Sequence, residues 1–243
     1  MKYIIIVCFF ISTNAMATTW GRSEVDDPIN ASAKCSVSQP RSSGSYIYQW
    51  PSKYDQVFWP LTTINGIWYC EKSGFIALIG DFKGLTDLEK DKIQKYLMQN
   101  NSRLETIESR LVRLEAIYSL RKSTPEFSNR LKRILAYLYE QNGNIKLANH
   151  YRELALKEIE LALHGKLKEN KRLEYLYLAA NYHRQFGHQK ESDSFLLKVE
   201  DAIKESSDDE LKGYKDYLTE LIKDTKYIVK GGVLKPSLPK DDT

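Results

Sequence analysis

From Leu85 onward the chain places apolar residues at three- and four-residue steps and holds that period almost to its end, which commits more than half of it to α-helix. Thr86 with Glu89 three residues later forms a capping-box signature ahead of Ile93, Tyr96 and Leu97. Leu104, Ile107, Leu111, Leu114 and Tyr118 continue the stripe, with charged residues between them. Thr124-Pro125 opens another helix, since proline at a first-turn position forfeits no hydrogen bond. Further helices are predicted over 144–164, 170–186, 188–204 and 208–228, with Gly143, Gly165 and Gly187 at the joints. Such a series of helices joined at glycines predicts stacked helical hairpins.

Two of those hairpins align at an offset of 44 residues, the separation of Gly143 and Gly187. In the first, Ala136 to Gly143 is followed by Ala148, Tyr151 and Ala155; in the second, Ala180 to Gly187 is followed by Ser192, Phe195 and Val199. A helix-ending glycine, a small residue, an aromatic and a compact apolar residue suit two antiparallel helices in close approach. This spacing resembles the tetratricopeptide-type hairpin, whose usual period of about 34 residues is shorter. An ordinary bundle with two similar hairpins is the alternative.

Residues 18–83 differ in kind. All four tryptophans lie there, among Tyr, Gly, Ser and Pro. Short β-favouring pieces, Ser45 to Trp50 and Gly66 to Cys70, alternate with turn signals, of which Asn65-Gly66 is a strong hairpin candidate. The fold expected is mainly α: tetratricopeptide-like helical hairpins over 84–229, preceded by a small β-rich aromatic module over 18–83 and followed by a flexible tail over 230–243. At 42% apolar and 28% charged residues, the chain has the balance of a folded protein. A net charge of +4 is too small and too dispersed to predict a nucleic-acid partner.

Residues 1–17 read as a signal peptide. Lys2 precedes an eight-residue apolar run, Ile4 to Ile11, and Ala15-Met16-Ala17 sets small side chains where a signal peptidase reads. Eight residues fall well short of the ~20 that span a bilayer, so no stable membrane span is expected. The expectation is a periplasmic or secreted protein. Cys8 leaves with the leader, and Cys35 and Cys70 remain. Two cysteines in an oxidising compartment most simply pair, with about 3–4 kcal/mol of stabilisation in the chain-entropy model; two separate buried thiols are the alternative.

Cys35-Ser36-Val37-Ser38 and Cys70-Glu71-Lys72-Ser73-Gly74 share the form cysteine, two residues, serine. With cysteine in place of Ser38 and Ser73 the chain would carry two CxxC knuckles 31 residues apart, the arrangement of ribbon-type zinc sites. On these knuckles, on Tyr54-Asp55 to Trp59-Pro60, on Gly80-Asp81-Phe82 and on the helical repeat, the chain resembles a bacterial family in which a zinc-ribbon-like segment precedes tetratricopeptide-like helices. The family has no established activity, so the resemblance implies a fold and no function. Neutral serine hydroxyls are poor zinc ligands, so the resemblance implies a degenerate site, with no metal and a Cys35–Cys70 disulfide in its place.

No motif for nucleophilic catalysis, zinc hydrolysis, phosphate cradling or calcium binding occurs. None of the four histidines forms an i, i+4 pair, and the carboxylates alternate with Lys and Arg as on solvated helix faces. No cofactor is expected. Asp55 and Asp81, in the aromatic module, are the only acids singled out to be tested for activity, and both are expected in structural roles. Trp50, Tyr54, Asp55, Trp59 and Trp68 are the candidate binding residues, because clustered aromatics make either a core or a flat contact surface. The function expected is a non-enzymatic exported scaffold that binds another envelope protein or a peptide. The alternative is an envelope enzyme or carbohydrate-binding factor using the segment around Asp55.

Overall fold

The structure, a computed structural model, describes residues 19–41 and 51–237. The expected signal peptide over 1–17, the Ser45–Trp50 stretch with Trp50, and residues 238–243 lie outside the described residues.

Two antiparallel ribbons come first. Strand β1 (Trp20–Asp26) pairs with β2 (Lys34–Pro40) in the register Val25 opposite Cys35 and Arg22 opposite Ser38. Strand β3 (Ile67–Tyr69) pairs with β4 (Ile76–Leu78). Asn65-Gly66 does not turn this hairpin: residues Ile64–Gly66 form a short 3-10 turn that leads into β3, and the β3–β4 turn lies at Cys70 to Phe75. Gly66 is required there for a different reason, since a Cβ at that position would sit 2.3 Å from the Pro60 carbonyl oxygen.

Seven α-helices follow among the described residues: α1 (Asp87–Gln99), α2 (Ile107–Ser119), α3 (Pro125–Gln141), α4 (Ile145–Leu163), α5 (Glu169–Phe186), α6 (Gln189–Glu205) and α7 (Lys212–Thr225). The first four have side-chain caps. Thr86 and Glu89 form the reciprocal capping box, Thr106 and Ser109 form a second, and Thr124 and Asn144 cap α3 and α4. Gly143 and Gly187 end α3 and α5 with φ of 81° and 83°, the left-handed conformation that only glycine enters without strain.

The 44-residue offset carries through to the elements. Helix α3 begins at Pro125 and α5 at Glu169; α4 begins at Ile145 and α6 at Gln189. Ala148, Ser192, Ala155 and Val199 are all fully buried, so the small residues do sit where paired helices touch. Tyr139 stacks on Tyr151 at 5.5 Å, and their offset counterparts His183 and Phe195 stack at 5.3 Å.

The ribbons do not pack apart from the helices. Cys35, Trp68, Phe75 and Phe82 share one buried cluster with Ile93, Leu111, Ile117, Leu135 and Ala148 of α1–α4. A second cluster joins Tyr54 to α4–α7 and to Leu234. The flexible tail expected from residue 230 is instead packed as far as the description extends: Leu234 is buried, its N–H donates to Glu140 Oε2 at 2.9 Å, and Ile228 pairs with Pro236. Leu234 offers an apolar side chain, and Glu140 a carboxylate, that the sequence pattern did not connect.

Candidate functional site

The chain between the two ribbons is bound by the helices much as a peptide would be. Residues Pro51–Tyr54 make one 3-10 turn, after which the backbone carbonyls face the helical stack. Asn181 Nδ2 donates to the Tyr54 carbonyl at 3.1 Å. Arg133 Nη1 donates to the carbonyls of Asp55 and Gln56 at 3.0 and 3.1 Å. The Tyr54 hydroxyl donates to Asp224 Oδ2 at 2.8 Å, which ties the segment to α7. Gln56 has φ of 50°, an uncommon conformation for a residue with a side chain, held by the Gln56 Nε2 donation to the Lys53 carbonyl.

Asp55 is the anchor. Arg152 Nε and Nη2 donate to its two carboxylate oxygens at 3.0 and 2.7 Å, and the Tyr182 hydroxyl donates to Oδ1 at 2.8 Å. Arg152 also donates from Nη1 to Glu140 Oε2 at 2.6 Å. Arg133 pairs with Glu174 at 2.7 Å, and Glu174 also accepts from Lys171. Asp55, Glu140 and Glu174 thus face Arg133, Arg152 and Lys171, so the site is close to neutral. Neutrality is needed, because Arg152 is 0% and Asp55 1% exposed, and an unpaired charge there would be very costly. Burial opposes the charge on both arginines, but Asp55 beside Arg152 and Glu174 beside Arg133 hold each above its ordinary pKa. Burial likewise opposes the charge on Glu174, yet Arg133 keeps it below the usual carboxylate range. Burial, reinforced by the Asp55 charge, pushes the Tyr182 hydroxyl well up, so it stays a donor.

These are the functional-region residues that the sequence reading missed. Arg133, Glu140, Arg152 and Glu174 belong to the charges assigned there to solvated faces; the first three are buried and Glu174 is partly buried, each with an oppositely charged partner within reach. For Arg152 a signal exists: it lies on the stripe Ala148, Tyr151, Ala155 and so shares that stripe's buried face.

Beside the bound segment the groove stays open. A cavity of about 700 Å³ lies between α3, α5 and the start of α7, with Gln56 and Phe58 of the bound segment forming its end. Phe127, Arg130, Lys171 and Tyr214 line it, so it combines aromatic faces with cationic heads. Arg130 sits over the Phe127 ring at 5.4 Å.

The other expected site residues fall elsewhere. Asp55 and Trp59 do not line this cavity. Tyr54 and Trp68 are buried, and Trp68 donates to the Ser38 carbonyl at 2.7 Å while packing edge-on against Phe82 at 5.5 Å. Trp59 is half-buried against Trp20, ring centroids 5.6 Å apart. Asp81 is structural: Arg121 grips it through both nitrogens at 2.9 Å and the Tyr118 hydroxyl donates to it at 2.6 Å.

Cys35 and Cys70 form a disulfide linking β2 to the end of β3. Asp27 is buried beside it, Oδ2 lying 3.0 Å from Cys70 Sγ while Oδ1 accepts from the amides of Ile29 and Asn30. Asp27, Cys35 and Cys70 converge closely enough to suit one metal ion, but with both sulfurs in the disulfide their thiolates are not there to bind it. Ser73 Oγ accepts from the Phe75 amide at 3.2 Å, and Ser38 lines a different surface depression from Ser73.

No protein-family model, curated protein or solved structure matches the chain.

Proposed function

We propose that the protein is an exported, non-enzymatic scaffold that binds a partner protein or peptide along the groove between α3, α5 and α7, with the tetratricopeptide-like hairpins as its frame. One observation carries this reading: the groove already grips a turn of the chain by its backbone carbonyls, through Arg133 and Asn181, and continues past that turn as an open cavity. Side chains that donate to backbone carbonyls, as Arg133 and Asn181 do, suit peptide capture. The leader-like start, the disulfide and the absence of any described helix long and apolar enough to cross a membrane support export. Asp55, on which an enzymatic or carbohydrate-binding reading depends, is fully engaged by Arg152 and Tyr182 and offers nothing to a substrate.

Photo-crosslinking in cells tests the proposal. A photoreactive residue at Arg130 or Lys171 should give a discrete adduct with one partner, and the same residue at Leu197, exposed on α6, should not. No adduct from the groove positions, or the same adduct from Leu197, would refute it.

A further inference from the structure

Where Asn144 caps α4 with its side chain, the offset counterpart His188 makes no such bond to α6. Its ring turns back over the helix joint instead, bringing Nδ1 to 3.4 Å from Nδ1 of His183. The two histidines are five apart in sequence, and the left-handed Gly187 between them is what makes the approach possible. We propose that His183 and His188 form a binding site for one divalent late transition-metal ion, of which Cu²⁺ binds tightest.

The His183 ring is fixed on two sides. Its plane stacks on Phe195, centroids 5.3 Å apart at 12°, and its Nε2 lies 2.9 Å from Glu160 Oε1. Glu160 is a carboxylate and accepts, so neutral His183 carries its proton on Nε2 and its lone pair on Nδ1, facing His188. A carboxylate behind a histidine in this way sets the tautomer that ligates and raises its basicity. A tetrahedral ion such as Zn²⁺, with metal–nitrogen bonds of about 2.0–2.1 Å, holds two nitrogens about 3.3–3.4 Å apart, which is the separation found. A tetragonal Cu²⁺ draws them to about 2.8–2.9 Å, a small closure that the exposed His188 ring can make. Imidazole nitrogens favour copper and zinc, and copper stands highest in the divalent affinity order. His183 is buried while His188 is exposed, so an ion enters from solvent and water completes its coordination.

The surrounding charge does not oppose a cation strongly. Arg184 is paired with Asp193 at 2.6 Å, Lys198 lies over the Phe195 ring and Lys230 over Gly187, while Glu160 and the first-turn Glu191 are acidic. The first hairpin has Tyr139 and Asn144 at the equivalent positions and so lacks both ligands, which confines the site to the second.

Calorimetric titration of the tag-free protein with CuCl₂ at pH 7.5, in a weakly chelating buffer, decides the matter. One equivalent should bind; His188→Ala, at an exposed position, should weaken affinity at least about tenfold, and Glu160→Gln by about 10–100-fold. His150→Ala should leave binding unchanged. Electron paramagnetic resonance of the copper complex should show coupling to two imidazole nitrogens, reduced to one in His188→Ala. No saturable binding, wild-type affinity in His188→Ala, or an equal loss in His150→Ala would overturn the site.

Discussion

The ribbons β1–β4 and the segment 52–57 rest on the same helical stack and are held to it by different chemistry. The two ribbons are fastened to each other by the Cys35–Cys70 bond and to the stack by apolar packing, with Trp68, Phe75 and Phe82 within one dry cluster with α1–α4. The segment is fastened by buried charge, with Arg152 and Arg133 reaching across from α4 and α3. A disulfide acts largely by restricting the unfolded chain. A buried ion pair contributes little net stability when complete, because desolvation offsets the attraction, yet breaking it strands a charge. One fastening therefore adds stability, while the other penalises every arrangement but the native one.

Removing Arg152 should give the largest effect. Arg152→Met strands the Asp55 and Glu140 carboxylates together in the interior, a loss expected at about 3–5 kcal/mol. The triple variant Arg152→Met, Asp55→Asn, Glu140→Gln should recover much of it, because no charge is left unpaired. Urea midpoints at constant slope measure both. If the single and triple variants are equally destabilised, lost packing rather than stranded charge is responsible and the contrast fails.

The covalent side comes next. The double variant Cys35→Ser, Cys70→Ser should lose about 3–4 kcal/mol, and dithiothreitol should lower the wild-type midpoint similarly while leaving the variant unmoved. The loss should be the same at low and high salt.

The same contrast explains what was legible beforehand. Period and capping are local, so α4, α5 and α6 fall within one residue of 144–164, 170–186 and 188–204, and Thr86 with Glu89, Pro125, Gly143 and Gly187 each act on their own neighbours, while α7 is shorter than 208–228 at both ends. The disulfide is the simplest expectation for two cysteines if the chain is exported. The charged clamp is legible only in part: the Ala148, Tyr151, Ala155 stripe places Arg152 on a buried face, but nothing local names Asp55, 97 residues away, as its partner. His183 and His188 were missed for a related reason: the i, i+4 rule assumes an unbroken helix, and Gly187 breaks it. Asn65-Gly66 misled because its small size serves close approach to Pro60 and not a hairpin.

The two hairpins allow a smaller test, since both clusters meet at their small residues. Ala155→Leu inserts three carbons at a fully buried α4 position beside α3, and should cost about 1–3 kcal/mol by overpacking. Ala162→Leu, at a partly buried position on the same helix, should cost clearly less. Comparable losses from both would mean that the repeat's small residues are not where the helices are tight.

The smallest effect concerns acid. Glu89 accepts from the Thr86 amide at 2.8 Å, from the Lys122 amide at 2.8 Å and from the Thr86 hydroxyl, and these donors lower its pKa from 4.5 to about 2. A carboxylate depressed on folding stabilises the native state above its unfolded pKa, so the contribution is complete above about pH 4.5 and is lost as pH falls towards 2. Glu89→Gln should therefore be less stable than wild type at neutral pH, with the gap narrowing through that window. Thermal midpoints at pH 7, 4 and 2.5 read it out. Glu89 belongs to the ribbon side, where α1 and the turn before α3 meet, so its titration should move that region alone. The amide protons of Lys122 and Thr86 should lose exchange protection in acid before those of the Asp55 clamp. Simultaneous loss at both would mean that the two fastenings open as one unit and are not separable by chemistry.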